Sequence, residues 1–162
     1  MGELIGNWQI QLILLANIAF SMLLGGIVGF ERETRRRPAG MRTHMLIAGA
    51  AALLLGIGDL LAEHFSDESY SQLLRVDPIR IIEAVVTAVA FIGAGTIIQH
   101  SRNNAVLGLT TAASLLLTAS VGIAVGLQQY ILATGVTVMA VVILHFLSGP
   151  KDRLEKSREG ED

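Results

Sequence analysis

The chain has 162 residues, of which 52% are hydrophobic and 16% are charged, and its formal net charge at pH 7 is −2. Soluble domains normally carry about a quarter charged residues, so this composition favours a membrane protein over a soluble domain. The 162 residues include no cysteine, which excludes disulfides, thiol catalysis and thiolate metal sites within them.

Five apolar segments follow in chain order, each close to the roughly 20 residues that span a hydrocarbon core. They are Trp8–Phe30, Thr43–Ala62, Arg80–Gln99, Leu107–Leu127 and Gln129–Leu147. The last two are nearly continuous and together exceed one membrane thickness, so we place a hairpin at Gln128 and Gln129. The sequence therefore predicts an all-α membrane protein, a bundle of five transmembrane helices over residues 1–150. A charged cytoplasmic tail over residues 151–162 is expected to follow.

The basic residues predict the orientation of this bundle, because Lys and Arg are retained on the cytoplasmic side. Ten of the twelve fall on one side: Arg32, Arg35, Arg36, Arg37, Arg42, Arg102, Lys151, Arg153, Lys156 and Arg158. Only Arg75 and Arg80 fall on the other side. We therefore expect the N-terminus outside and the C-terminus in the cytoplasm. No basic residue precedes Arg32, so the first segment is expected to be retained as an anchor.

An offset of 68 residues aligns the first half of the chain with the second. Gly25 then falls on Gly93, and Gly40 falls on Gly108. Both halves enter the membrane from the same side, which is typical of a parallel two-helix repeat about the membrane normal. Chance matching of common small residues is the alternative.

Small and polar residues form stripes on the first and fourth segments. The stripes contain Asn17, Ser21, Gly25 and Gly29, and then Thr111, Ser114, Thr118, Gly122 and Gly126. Such stripes permit close helix contact, within one protomer or between protomers. A hydrated ion path uses the same residue types, so both interpretations remain open.

The third segment opens with charged residues. Asp77 and Pro78 have the pattern of a helix N-cap followed by proline at the first helical position. Arg80 and Glu83 are three residues apart, so they are able to pair on one helix face. The alternative is that Asp77 and Glu83 supply oxygen ligands to Mg²⁺. The histidines, at positions 44, 64, 100 and 145, are dispersed without metal-binding spacing, and we expect them to be structural.

Several strings together resemble the signature regions of the MgtC/SapB membrane family. They are Gly-Gly-Ile-Val-Gly-Phe-Glu-Arg-Glu at 25–33, Pro-Ala-Gly-Met-Arg-Thr-His at 38–44, Asp-Pro-Ile-Arg-Ile at 77–81, Phe-Ile-Gly-Ala-Gly at 91–95, and Gly-Leu-Thr-Thr-Ala-Ala at 108–113. The chain resembles a short form of that family, without the C-terminal cytoplasmic domain that many members carry.

The resemblance implies a multi-pass protein of the bacterial inner membrane, linked to Mg²⁺ limitation or acid-stress adaptation and related to virulence proteins. Its implied mode of action is to bind and regulate another membrane complex, such as the F-type ATP synthase. The alternative is a passive ion channel or secondary transporter for Mg²⁺ or another cation. We expect the lipid bilayer and a second copy of the chain as partners, with a dimer favoured, and no nucleic acid.

The motif positions, the stripe glycines and the Arg80–Glu83 pair define two sets of candidate residues. The functional polar network comprises Glu31, Arg32, Arg42, Thr43, Asp77, Arg80, Glu83, Thr110 and Thr111. The helix-packing set comprises Gly25, Gly29, Gly93, Gly95 and Gly108. The sequence contains no phosphate-binding loop or nucleophile elbow, so we expect no enzymatic activity and no cofactor, apart from Mg²⁺ as a candidate ion.

Overall fold

The computed structural model describes residues 8–64, 77–99 and 108–146. These ranges fold into five helices and contain no strand: α1 (Trp8–Thr34), α2 (Met41–His64), α3 (Pro78–Gln99), α4 (Leu109–Gly126) and α5 (Tyr130–Phe146). The all-α prediction is confirmed, and the five helices match the five apolar segments. The predicted tail and the loop around Arg102 lie outside the described residues.

Four of the five helices are long and apolar enough to cross a membrane, namely α1 to α4. The fifth, α5, is also apolar but has only 17 residues. At 1.5 Å per residue it rises about 25 Å, slightly less than a typical hydrocarbon core of about 30 Å. The predicted crossing by α5 therefore stays a prediction.

The helix at the centre of the bundle is α4, which contacts each of the other four. Half of the residues in the apolar span of α4 are buried, compared with 17% for α3, which lies at the periphery. Leu115 and Ala119 of α4 join Leu55 of α2 and Val85 of α3 in the largest apolar cluster. A second cluster joins Val121 and its neighbours on α4 to α1 and α5. The core therefore forms around α4.

Two helices end in the same hydrogen-bonding pattern, with a residue other than glycine in the left-handed conformation. At the end of α1, Arg36 has φ 54°, and the Arg37 N–H donates to the Arg32 carbonyl at 3.0 Å. At the end of α4, Gln128 has φ 60°, and the Gln129 N–H donates to the Ala124 carbonyl at 2.8 Å. These are Schellman caps, which satisfy carbonyls left free by the last helical turn. The hairpin lies where the sequence predicted it.

The last turn of α1 extends beyond its predicted end, whereas the start of α3 agrees with the predicted N-cap. α1 continues four residues beyond the predicted Phe30, so Glu31 and Arg32 are helical. α3 begins at Pro78, and the Ile79 N–H donates to Asp77 Oδ1 at 3.0 Å, as expected for an N-cap.

The entry to α4 uses Gly108. Its φ is 93°, a conformation that L side chains rarely adopt. A Cβ atom there would also lie 3.0 Å from the Thr96 carbonyl oxygen of α3. Glycine is therefore needed both for the backbone conformation and for the approach of α3.

Candidate functional site

Polar groups from four helices meet at one end of the bundle, which we call the arginine end (residues 31–44, 108–114 and 144–145). Arg32 at the end of α1 reaches the Leu144 carbonyl at the end of α5. His44 near the start of α2 reaches Ser114 near the start of α4. Two helix C-termini and two helix N-termini therefore lie together.

A buried carboxylate shared by two arginines is the centre of this end. Glu31 is 6% exposed and Arg32 is 1% exposed. The Arg32 Nε donates to Glu31 Oε2 at 2.6 Å, and the Arg35 Nε donates to Glu31 Oε1 at 2.6 Å. Buried charges are tolerated only when they are paired and hydrogen-bonded, and here both carboxylate oxygens carry a guanidinium partner.

The same two arginines hold the end of α5. Arg32 Nη2 donates to the Leu144 carbonyl at 3.2 Å, and Arg35 Nη2 donates to the His145 carbonyl at 2.7 Å. Carbonyls in the last turn of a helix have no partner within that helix. Glu31, Arg32 and Arg35, which we call the Glu31 cluster, therefore cap α5 and fix it to α1. The sequence motifs did not indicate this role.

Glu33 caps the next helix. Its Oε2 accepts the Met41 N–H at 2.9 Å, at the first residue of α2. A Cβ at Gly40 would lie 2.9 Å from that same oxygen. The glycine therefore makes room for the Glu33 carboxylate, and this contact links the strings at 25–33 and 38–44.

His44 joins α2 to α4. Its side chain is fully buried, with Nδ1 2.9 Å from the Gly40 carbonyl oxygen and Nε2 3.1 Å from Ser114 Oγ. The Ser114 Oγ also lies 2.8 Å from the Thr111 carbonyl oxygen. Sequence reasoning missed this link, because a single histidine without metal-binding spacing carries no local signal.

The glycines of the stripes on α1 and α4, together with Ser21, lie against α2. A Cβ at Gly25 would lie 2.6 Å from the His44 carbonyl oxygen, and one at Gly122 would overlap the Ala48 carbonyl oxygen. The Ser21 hydroxyl donates to that same Ala48 oxygen at 2.7 Å. The backbone of α2 is thus closely approached from both sides.

The buried hydroxyls of α4 and α5 are hydrogen-bonded within their own helices. Thr118 Oγ1 donates to the Ser114 carbonyl at 2.8 Å, and Thr137 Oγ1 donates to the Ala133 carbonyl at 2.8 Å. Backbone bonding of this kind lets a hydroxyl lie in an apolar setting at little cost. These groups therefore need no water for their satisfaction.

The remaining members of the predicted polar network are dispersed. Arg42, Asp77, Arg80, Glu83 and Thr110 are exposed, Thr43 is half-buried, and Thr111 is buried. The α3 charges belong to the opposite end of the bundle, where Ile81 meets Gly58 of α2. The residues that were predicted as one network therefore belong to two separate ends.

Within the described residues of one chain, α3 shows neither of two contacts that the sequence suggested for it. Arg80 and Glu83 do not form an ion pair with each other there, and both side chains are exposed on α3. Gly95 has no atom within 4 Å of its would-be Cβ, whereas Gly93 would come within 3.2 Å of Ala112 Cβ. Gly95 therefore does not pack against another described helix of this chain.

The described ranges hold no group of three or more side chains that could together bind Mg²⁺. Asp77 uses one oxygen to cap α3, and Glu83 is exposed on that helix.

The opposite end of the bundle, which we call the tyrosine end (residues 17–20, 58–59, 77–83 and 128–130), also has a polar link between helices. The Tyr130 hydroxyl donates to Asn17 Oδ1 at 2.9 Å, and its ring meets Phe20 edge-on, with centroids 6.0 Å apart. Asn17, Asp59 and Gln128 also line a shallow, mostly apolar cleft between α1, α2 and the α4–α5 turn. This link ties the start of α5 to α1.

Comparison with known proteins gives a consistent result. Residues 18–152 match the profile of the MgtC family. The chain is 39% identical over 119 residues to YhiD of Escherichia coli K12, which is named as a candidate magnesium transporter. It is 35% identical over 148 residues to protein MgtC of Salmonella typhimurium LT2, and 31% identical over 156 residues to protein SapB of Bacillus subtilis.

These alignments cover most of the chain but only part of each relative. They take in 74%, 90% and 93% of the chain, and 53%, 58% and 65% of YhiD, MgtC and SapB respectively. The chain therefore spans between half and two thirds of the length of these relatives. No solved structure matches it.

Proposed function

Because the chain belongs to the MgtC family, we propose that it supports bacterial adaptation to Mg²⁺ limitation or acid stress by binding and regulating another complex of the inner membrane. Family membership and four long apolar helices make it a membrane protein. The F-type ATP synthase is the partner that we name for testing, since the motif resemblance pointed to it.

The observation that carries this proposal is the way in which the polar stripes are used. Ser21 and Gly122 both meet the Ala48 carbonyl of α2, and the hydroxyls of Ser114 and Thr118 bond to backbone carbonyls of α4. A conducting path needs polar groups that are turned toward a shared space. Because these stripe residues are used in helix packing and backbone hydrogen bonds, they favour a protein that acts by binding a partner.

The orientation that we propose places the arginine end in the cytoplasm. Arg35, Arg36, Arg37 and Arg42 lie there, whereas the tyrosine end has only Arg80 in the described ranges. The positive-inside rule then puts the start of α1 outside. With this orientation the Glu31 cluster lies near the cytoplasmic surface.

The internal repeat is also part of the proposal. Gly25 of α1 meets His44 of α2, and Gly93 of α3 meets Ala112 of α4. The second contact repeats the first at an offset of 68 residues, in the same register as the sequence repeat. This agreement supports two equivalent helix pairs, each built on one glycine contact.

The regulatory role predicts a partner and no flux. Affinity-tagged protein from membranes of cells grown in low Mg²⁺ is expected to retain subunits of the F-type ATP synthase. Inverted vesicles that contain it are expected to make less ATP than vesicles from a deletion strain. Purified protein in liposomes is expected to pass Mg²⁺, K⁺ and H⁺ at the rate of empty liposomes.

Flux above that background, lowered by Glu83→Gln, would instead establish the channel or transporter alternative. Recovery of a different complex with unchanged ATP synthesis would keep a regulatory role but remove the ATP synthase from it. Untagged protein from the same membranes is the control for adventitious capture.

We further propose that two copies pair through α3. This helix is the least buried of the four long spans, and Glu83, Thr87 and Gly95 lie exposed on it. A carboxylate that faces lipid is costly unless it is paired. In a parallel pair about the membrane normal, Arg80 of one copy lies at nearly the level of Glu83 of the other.

Two open glycines provide a matched test in this cysteine-free chain. Gly95 on α3 and Gly135 on α5 both have no atom within 4 Å of a would-be Cβ. Gly95→Cys is expected to give a disulfide-linked dimer under mild oxidation in native membranes, and Gly135→Cys is expected to stay monomeric. Preferential crosslinking of the Gly135→Cys protein would move the interface to α5 and contradict the proposal.

A further inference from the structure

His44 lies where three helices meet. Its ring is fully buried on α2, and Ser114 of α4 contacts its Nε2. From the α1 side, a Cβ at Gly25 would lie 2.6 Å from the His44 carbonyl oxygen, and a Cβ at Gly29 would lie 3.0 Å from the His44 Cβ. His44 is therefore in contact with α4 through its ring and with α1 through its backbone and Cβ.

The hydrogen bonds around the ring fix where its protons are. The Gly40 carbonyl, 2.9 Å from Nδ1, accepts only, so Nδ1 carries a proton in every state. Ser114 Oγ has one proton and two neighbours, the Thr111 carbonyl at 2.8 Å and Nε2 at 3.1 Å. The hydroxyl is therefore able to donate to only one of them at a time.

Two complete arrangements satisfy these groups. When His44 is neutral, the Ser114 hydroxyl donates to the lone pair of Nε2. When His44 is charged, the Nε2–H donates to Ser114 Oγ, and the hydroxyl rotates to donate to the Thr111 carbonyl. That carbonyl keeps its own helical hydrogen bond in both cases. A buried histidine here gains a proton without losing a hydrogen bond.

We propose that His44 and Ser114 form a proton-binding site between α2 and α4, in which rotation of the Ser114 hydroxyl accompanies each gain or loss of a proton. The ligand is the proton itself. The hydrogen bond from a charged ring is roughly twice as strong as that from a neutral group, so the contact between α2 and α4 tightens on proton binding. This inference does not depend on the partner proposed above.

The charged groups around the site come mainly from one helix. On α1, Arg32 acts electrostatically on the His44 ring and is itself paired with Glu31. On α2 itself, Arg42 is exposed two residues away, and residues 109–126 of α4 contain no titratable side chain. Asp77, Arg80 and Glu83 of α3 belong to the tyrosine end. Arg32, paired with Glu31, is therefore the charged group of the described elements that acts on the His44 ring.

Imidazole ¹⁵N NMR tests the proposal directly. The protein is studied in lipid nanodiscs with His64, His100 and His145 changed to Asn, so that His44 is the only labelled ring. We expect Nδ1 to be protonated at every pH and Nε2 to gain its proton on acidification. A neutral ring with its proton on Nε2, or a ring that never titrates while the protein stays folded, would overturn the proposal.

Paired serine variants separate the Ser114 role from a general effect on α4. Ser120 is exposed on α4, and its hydroxyl donates to the Leu116 carbonyl of the same helix at 3.0 Å. Ser114→Ala is expected to weaken proton binding at His44 about 5- to 10-fold, because the charged ring loses the stronger hydrogen bond. Ser120→Ala is expected to leave it unchanged, and Ser114→Thr to retain it. Equal effects of Ser114→Ala and Ser120→Ala would contradict the assignment.

Discussion

Gly122→Ala is expected to destabilise the protein by about 1–3 kcal/mol, the usual cost of forcing extra volume into a packed core. The new methyl would overlap the Ala48 carbonyl oxygen and lie 2.9 Å from Ala51 Cβ. Both neighbours belong to the α2 helix, whose backbone has little freedom to move. Relief requires α2 to shift as a whole, which would also strain the hydrogen bond from Ser21 to Ala48.

Gly135→Ala is the matched control for this substitution. Gly135 is helical and has no atom within 4 Å of a would-be Cβ, so the same methyl group meets open space. Stability is expected to be unchanged or raised by up to about 1 kcal/mol, because alanine is the better helix former. The free energy of unfolding of both variants is measured in bicelles. Equal stability of the two variants would show that α2 and α4 are not in close contact at Gly122.

Glu31→Gln is expected to have the largest effect of any single charge change, about 3–5 kcal/mol, which is typical when one partner of a buried ion pair is removed. The amide retains the shape but not the charge, so the buried Arg32 loses its counter-ion. Arg32 and Arg35 also cap the Leu144 and His145 carbonyls. The end of α5 is therefore expected to separate from α1 first, which hydrogen exchange at residues 140–146 detects.

Glu33→Gln makes the same chemical change two residues away at an exposed side chain. The amide oxygen still accepts the Met41 N–H, so the loss is expected to stay below about 1 kcal/mol. Replacing the whole pair, Glu31→Leu with Arg32→Met, is expected to recover much of the stability lost in Glu31→Gln. A Glu31→Gln protein as stable as Glu33→Gln would contradict the assignment of Glu31 as the counter-ion of Arg32.

The helices themselves were predictable, because their signals are local. Predominantly apolar runs of about 20 residues marked α1 to α4, and the Asp77–Pro78 pair marked the start of α3. Helix ends were less certain where no glycine or proline was present. Arg36 and Gln128 adopt the left-handed conformation that sequence reasoning assigns to glycine. The end of the apolar run at Phe30 also did not mark the end of α1, which includes Glu31 and Arg32.

The candidate site was only partly predictable for a different reason. The motifs selected Glu31 and Arg32, but not the carbonyl of Leu144, which lies 112 residues from Arg32, or the pairing of His44 with Ser114, 70 residues apart. Backbone carbonyls carry no sequence signal, and hydroxyls are common in packed helices. The sequence therefore named the charged groups without their partners.

Gly93 and Gly95 illustrate the limit most simply. Two residues along a helix correspond to a rotation of about 200°, so these glycines point in nearly opposite directions and only one is able to face α4. The sequence by itself determined five helices, their apolar character and the set of glycines that are candidates for close approach. The tertiary structure alone decided which glycines meet a helix and which charges are buried together, because both depend on the rotation and neighbours of each helix.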